Sequence, residues 1–542
     1  MDGLGGNAKH LKKRLKKKQN TGKKASLTKV AHNEARKIAK LKAKNSMSIG
    51  SNGQEDSCHQ SGIVKAKRNT SRPSLASASR EVASARSSII EGEGNVSSDF
   101  MSKQSSFERA KAAFSWMIAP VQRESFYSEY FEKKAFVVKH KDPAYYKQLF
   151  STNNLDDLMH NHDLYFGKNI DITSYVDSKR ETHNPEGRAV PAQVWSMYND
   201  GCSVRLLNPQ TFVGSVHTLC YTLAEEFSSF VGANVYLTPP NTQGFAPHWD
   251  DIDAFVLQLE GRKHWKVYAP RCPEEELPLN SSKNLERHEL GELILETVLE
   301  TGDLLYMPRG FIHEAQSSPD THSLHITISA NQHNTWSDFF KLMLPGALQV
   351  ATEEDLEFRR TMPRDYLRTM GIMYSDSRSA ARDKFLEMAS KLFDKLVDCA
   401  PIDAAVDQMA KNFIHDSLPP VLPAAEQKMS AAQKAKWNNG KPPLVELNAE
   451  AEVRILSRTA CRIVTEGDMV NMYYINDNTK TYREHDEPFS IELTPLEANV
   501  IEFLLTQYPK YIRIKDLPYE GSIDDKVELA IMLFQKGLLL AK

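Results

Sequence analysis

The stretch Asn241-Thr-Gln-Gly-Phe-Ala-Pro-His-Trp-Asp-Asp-Ile-Asp253 holds the residues best able to do chemistry, with His248 and Asp250 one residue apart. On extended backbone, side chains at i and i+2 project to one face, so this imidazole and this carboxylate can converge on one point. A second imidazole arrives in Gly302-Asp-Leu-Leu-Tyr-Met-Pro-Arg-Gly-Phe-Ile-His313, which reads as strand, Pro-Arg-Gly turn, strand. Two imidazoles and one carboxylate make a facial triad. It leaves positions on a metal open for substrate and oxygen, the pattern of non-haem Fe(II) oxygenases. Metal binding and catalysis thus fall on His248, Asp250 and His313. A His-x-Asp pair alone would equally suit a strand edge at the surface. The prolines that bracket it (Pro239, Pro240, Pro247) and the buried-strand pattern of Ala254-Phe-Val-Leu-Gln-Leu that follows favour the metal site, as does a spacing to His313 that several barrel strands fill.

In Gly261-Arg-Lys-His-Trp-Lys-Val-Tyr-Ala-Pro270 the alternation puts Lys263, Trp265 and Val267 on one face. A Lys that shares a face with Trp and Val points inward, and a buried ammonium needs an anion. The distal carboxylate of a dicarboxylate cosubstrate such as 2-oxoglutarate would supply it; a Lys snorkelling at a strand end is the plainer alternative.

Together, Asn234-Val-Tyr236, His248-x-Asp250, Lys263 and Pro308-Arg-Gly-x-x-His313 resemble the Jumonji C oxygenases of the cupin superfamily, and within them the ribosomal oxygenase branch. The resemblance runs from about Phe107 to the C-terminus. It implies one Fe(II) per subunit, 2-oxoglutarate and O2 as cosubstrates, Lys263 on the distal carboxylate and Asn234 beside it. It also implies substrate contacts from Arg205, Tyr236 and Ser329, histidyl hydroxylation of a large-subunit ribosomal protein, methyl-lysine demethylation on histone H3, and a homodimer. Read as residues alone, Asn234 and Tyr236 alternate on one strand and suit hydrogen-bonded core positions, and Ser329 is a small strand residue. His325 shares a face with Thr327 and Ser329 and reads as support or core rather than as a ligand.

The formal net charge of −2 hides a split. Residues 1–45 carry 15 Lys/Arg against Asp2 and Glu34, so the remainder carries about −15. Residues 1–105 are basic and then Ser-rich, and have no aromatic before Phe100, which predicts a disordered tail. Such a tail suits nuclear and nucleolar targeting and non-specific RNA contact. Aromatic interleaving for base stacking is missing. Six scattered Cys without a Cys-x-x-Cys argue against a zinc ribbon or a disulfide framework. No apolar run is long enough to predict a membrane span, and no secretory signal is expected.

From Leu164, short strands split by turns predict a double-stranded β-helix, the jelly roll of cupins, over 106–335. Arg271–Glu292 reads as an insertion at the barrel mouth, a lid or substrate rim. A helical segment over 336–430, with a stripe of Phe385, Met388, Leu392 and Leu396, suits an interdomain bundle or a dimer interface. Residues 431–542 read as a winged-helix-like module, its first long helix opened by the Thr494-Pro-Leu-Glu497 capping box. Its 12 Lys/Arg against 17 Asp/Glu between Lys441 and Lys542 oppose phosphate binding and favour a protein-contact or stabilising role. The chain is therefore an α+β multidomain protein. Two other classes compete with an oxygenase: a non-catalytic nucleolar cupin scaffold acting through its basic tail, and a zinc hydrolase, which would leave Lys263 without a purpose.

Overall fold

The computed structural model describes residues 87–92, 98–435, 437, 440 and 446–542, so the basic run of the tail lies outside the described residues. Part of the span expected to be a disordered tail is ordered. Ser88–Gly92 forms strand β1, parallel to β2 (Phe136–His140). The β-branched pair Ile89-Ile90 adds a ladder to an open sheet edge, and that pairing offsets the ordering of a short segment. Phe100 is likewise buried, 6.1 Å from the Trp116 ring.

Ser105 and Glu108 close a capping box that opens α1 (Ser106–Ile118). Pro143–Phe150, where a proline at the first position reads as a helix start, is instead a run of turns. Tyr145 and Tyr146 there each donate a hydroxyl to a carbonyl in the last turn of α1, Trp116 O and Met117 O, both at 2.7 Å, and those ties hold the segment in its turns. The chain continues through α2 (Thr152–Asn161), β3 (Ile170–Val176), β4 (Lys179–Thr182), α3 (Pro191–Asn199), β5 (Ser203–Leu207), α4 (Gly214–Phe227) and β6 (Gly232–Thr238). Next come β7 (Asp253–Tyr268), β8 (Leu293–Glu300), β9 (Leu304–Met307), β10 (Ile312–Ser317) and β11 (Ser323–Ala330).

One sheet runs β1-β2-β9-β7-β11-β6-β5-β3-β4, and β8 and β10 flank the second half of β7. Strand β7 is the hinge of the roll. Its first half pairs with β9 and β11, its second with β8 and β10. The sequence reads as two strands here because Gly261 interrupts the run. In the fold one 16-residue strand bends at Gly261, whose φ is +63° and whose missing Cβ would lie 1.8 Å from His322 O. The bend lets one strand serve both layers. The main core lies on the α1 and α4 side of the long sheet; a smaller apolar cluster around Val256, Trp265, Val267 and Leu305 fills the roll.

Beyond the roll lie α5 (Trp336–Glu354), α6 (Ala380–Asp398) and α7 (Ile402–Asp416). Pro345 sits inside α5 rather than ending it, because Met343 and Ala347 pack on Ala405 of α7. No residue of α6 is fully buried, and Met388 of the expected stripe is exposed. The C-terminal module holds two three-stranded sheets: β12 (Glu452–Ile455) between β16 (Ile512–Arg513) and β17 (Leu539–Ala541), and β14 (Met469–Tyr474) between β13 (Cys461–Glu466) and β15 (Ser490–Leu493). Helices α8 (Pro495–Gln507) and α9 (Ile523–Gln535) pack against them, and Thr494 and Glu497 form the expected capping box.

This module is bolted to the first helix. Glu426 accepts from Arg109 of α1 at 3.1 Å and from Arg454 of β12 at 2.7 Å, all three side chains being buried. Tyr508 accepts the Ser106 backbone N–H at 2.7 Å. Glu426→Ala leaves two buried guanidiniums without their anion, and we expect a loss of about 3–5 kcal/mol. A lower denaturant midpoint, followed by circular dichroism, checks it; an unchanged midpoint would show the triad to be neutral.

Candidate active site

The two imidazoles are brought together by backbone pairing. His248 and His313 are direct antiparallel partners: His248 N–H donates to His313 O at 3.2 Å, and His313 N–H to His248 O at 2.8 Å. Residues that exchange both bonds put their side chains on one face, here with ring centres 4.5 Å apart. Asp250, two residues on, shares that face. The Pro308-Arg309-Gly310 turn is fixed to it by Gly310 N–H donating to Asp250 O at 3.0 Å. Asp250 then lies 3.8 Å from His248 Nε2 and 3.7 Å from His313 Nε2. One ligand atom from each of the three residues lies within 4.8 Å of the other two, and among the described residues no other group of three or more His, Cys, Asp or Glu meets that spacing.

The donor set fits a metal ion. Nδ1 of His248 lies 2.8 Å from Ala246 O, and Nδ1 of His313 lies 3.1 Å from Phe311 O. Each carbonyl can only accept, so each Nδ1 carries the proton and each Nε2 keeps its lone pair for a ligand bond. Burial, with His248 beside it, pushes His313 below the usual imidazole range and so favours its neutral form.

The triad opens into a cavity of about 240 Å³ lined also by Arg180, Arg205, Tyr236, Phe245, Lys263, Trp265 and His325. Lys263 is 4% exposed, as the alternation predicted; its Nζ donates to Thr238 Oγ1 at 3.1 Å and has no anionic partner among the described residues. Burial pushes its ammonium down to about 7. Tyr236 stacks on His325 with ring centres 4.8 Å apart, and Arg205 is ion-paired to Asp171. Asn234 and Ser329 share these strand faces but are not among the residues that line the cavity. The insertion is a fixed rim: Ser282 N–H donates to Trp249 O at 3.0 Å and Leu285 N–H to Pro247 O at 2.8 Å, pinning the segment that carries His248 and Asp250. The sequence reading missed Phe245 and Arg180, which line the cavity only through long-range folding, and Thr238, which accepts from Lys263; none carries a local signal.

Fold and triad define a Jumonji C-type cupin. The JmjC domain family matches residues 205–338, and the C-terminal winged helix domain of ribosomal oxygenase 1 matches residues 418–542. Ribosomal oxygenase 1 of Gallus gallus is 49% identical over 442 residues, covering 81% of this chain and 73% of its own length. The Branchiostoma floridae protein named bifunctional lysine-specific demethylase and histidyl-hydroxylase NO66 is 45% identical over 442 residues, covering 81% and 69%. Among solved structures, the Escherichia coli ribosomal oxygenase YcfD in complex with cobalt and 2-oxoglutarate is 17% identical, with a TM-score of 0.41, covering 78% of this chain and 99% of that one. The chain belongs to the ribosomal oxygenase 1 family of JmjC-domain oxygenases.

Lys263 gives this site a pH signature. The ammonium must be charged to hold a carboxylate, yet in the free protein it loses its proton near pH 7. We propose that Lys263 takes the carboxylate of 2-oxoglutarate; binding to the Mn(II)-loaded protein should then take up a proton above pH 7, its affinity falling about tenfold per unit and levelling off below. Calorimetry at pH 6.5 and 8.5 in buffers of different ionisation heat checks this, and Lys263→Met should remove the slope; a flat profile in the unmodified protein would refute it.

Proposed function

We propose that the chain is an Fe(II)- and 2-oxoglutarate-dependent protein oxygenase whose primary activity is hydroxylation of a histidyl side chain in a large-subunit ribosomal protein. The observation that carries this reading is a metal triad sharing one cavity with a buried, anion-free lysine. His248, Asp250 and His313 would hold Fe(II), and Lys263 with Thr238 the distal carboxylate of 2-oxoglutarate. Iron, cosubstrate and O2 together supply the oxidising power that turns a C–H bond into C–OH. The protein's own part is positioning: Trp265 and Phe245 wall the cavity against water, and Tyr236 and Arg205 present polar groups to the incoming side chain.

Methyl-lysine demethylation of histone H3 is the second reading, favoured by the lancelet relative's name. The same centre serves both, because hydroxylating an N-methyl group gives a hemiaminal that releases formaldehyde. The cavity favours the imidazole. Arg180 and Arg205 both lie over the Phe245 ring, at 4.6 and 5.6 Å, so a methylated ammonium there would meet like charge.

The active unit is a homodimer in this reading. Trp336, Phe340, Leu344 and Leu348 recur every fourth residue along α5, all exposed, which is the pattern of a helix face awaiting an apolar partner. Residues 1–45 would carry the protein to the nucleus and nucleolus and touch RNA without sequence preference.

Mass spectrometry after incubation with Fe(II), 2-oxoglutarate and O2 tests the activity on two peptides, a His peptide from a large-subunit ribosomal protein and a methylated histone H3 tail. We expect one added oxygen on the first and none with His248→Ala. Methyl loss from the second without oxygen on the first would reverse the order of the readings. A chain lacking residues 1–45 should turn over the His peptide normally yet lose nucleolar accumulation on imaging. Leu344→Asp with Leu348→Asp should halve the mass seen by light scattering; an unchanged mass would exclude this face as the interface.

A further inference from the structure

The hairpin β3–β4 delivers Arg180 to the wall of the active-site cavity. Its turn residues Asp177 and Ser178 have φ of 51° and 62°, the left-handed pair of a tight hairpin, and they fix the register that sets Arg180 opposite Tyr175. The guanidinium lies over Phe245, whose ring is 6.4 Å from that of His248 and 5.4 Å from that of Tyr236.

The two arginines on Phe245 differ in their partners. Arg205 Nε donates to Asp171 Oδ2 at 3.1 Å and its Nη2 donates to the same oxygen, while Asp171 Oδ1 accepts from Asn184 Nδ2 at 2.8 Å. That carboxylate is fully used. Arg180 has no ion pair among the described residues, and its buried Nε–H has no acceptor. Burial and the charge of Arg205 push its guanidinium below the usual range. Of the carboxylates on this wall, Asp250 belongs to the triad, and Glu314 is held by Arg287 and by Tyr268 at 2.7 Å. A guanidinium with unmade bonds, held beside a second cation, is costly, and stacking on one ring offsets only part of that cost.

We propose that Arg180 is a substrate-binding residue, its guanidinium held over Phe245 to donate to a carboxylate or carbonyl oxygen of the substrate polypeptide beside the residue being oxidised. This rests on the oxygenase reading, in which Lys263 takes the cosubstrate.

The test uses full-length Arg180→Ala and Arg180→Lys with Fe(II), 2-oxoglutarate, O2 and the ribosomal-protein His peptide as probe. We expect the peptide KM to rise at least about tenfold for Ala and less for Lys, since a hydrogen bond from a charged donor is lost. kcat, the KM for 2-oxoglutarate and peptide-independent 2-oxoglutarate turnover should stay as in the unmodified protein. A peptide whose acidic residues are replaced by amides separates the two sources: sensitivity to Arg180→Ala that vanishes identifies a side-chain carboxylate, and sensitivity that persists a main-chain carbonyl. An unchanged peptide KM in both variants, or a parallel loss of 2-oxoglutarate binding, overturns the proposal. Peptide turnover by the unmodified protein with an indifferent Arg180→Ala sinks this inference alone, whereas no turnover by the unmodified protein sinks the oxygenase reading and this inference with it.

Discussion

The exchange of two backbone hydrogen bonds between His248 and His313 is the interaction on which the site depends. It joins a proline-bracketed segment to the start of β10 across 65 residues of chain, and it sets both imidazoles on one face before any side chain has chosen a rotamer. The other supports reinforce this pairing. Gly310 holds the Pro-Arg-Gly turn to Asp250, the insertion pins Trp249 and Pro247, and backbone carbonyls lock both Nδ1 atoms. A metal meeting this triad finds its ligands already oriented, so little of its binding energy goes into ordering them.

Charge is distributed around the cavity in a way that stability alone would not favour. The anions along the wall are mostly committed: Asp171 to Arg205 and Glu314 to Arg287, with Asp250 in the triad. The cations Lys263 and Arg180 are left without counter-ions among the described residues, one deep and one on the side of the hairpin. Hydrophobic isosteres would cost less at both positions. A fold that keeps such groups gains from the ligands that neutralise them, and in the reading proposed above one cation serves a small diacid and the other a chain passing the mouth.

How much of this was legible in the sequence follows the range of the determining contact. The triad and Lys263 could be read because each rests on period-two alternation or on a turn with its own residue signature. The Thr494–Glu497 capping box was local for the same reason. Strand β1 was hidden because Ile89-Ile90 sits in Ser-rich sequence and owes its order to an edge supplied by β2. The unity of β7 was hidden because a Gly at positive φ looks like a break when it is a bend. The hydroxyls of Tyr145 and Tyr146 decided the fate of 143–150, and the packing of α5 on α7 overrode Pro345. Arg180 and Phe245 meet across 65 residues, at a distance where a sequence pattern carries no information.

The contact of Glu426 with Arg109 and Arg454, together with that of Tyr508 with Ser106, has a consequence for how the chain is made. Helix α1 is made before these partners, and its buried guanidinium waits for groups more than 300 residues downstream. Until they emerge, α1 carries a charge that the finished protein does not expose to water. These contacts at least cannot form in the N-terminus-first order that multidomain chains commonly follow. The first helix completes these contacts only once the last module has been made.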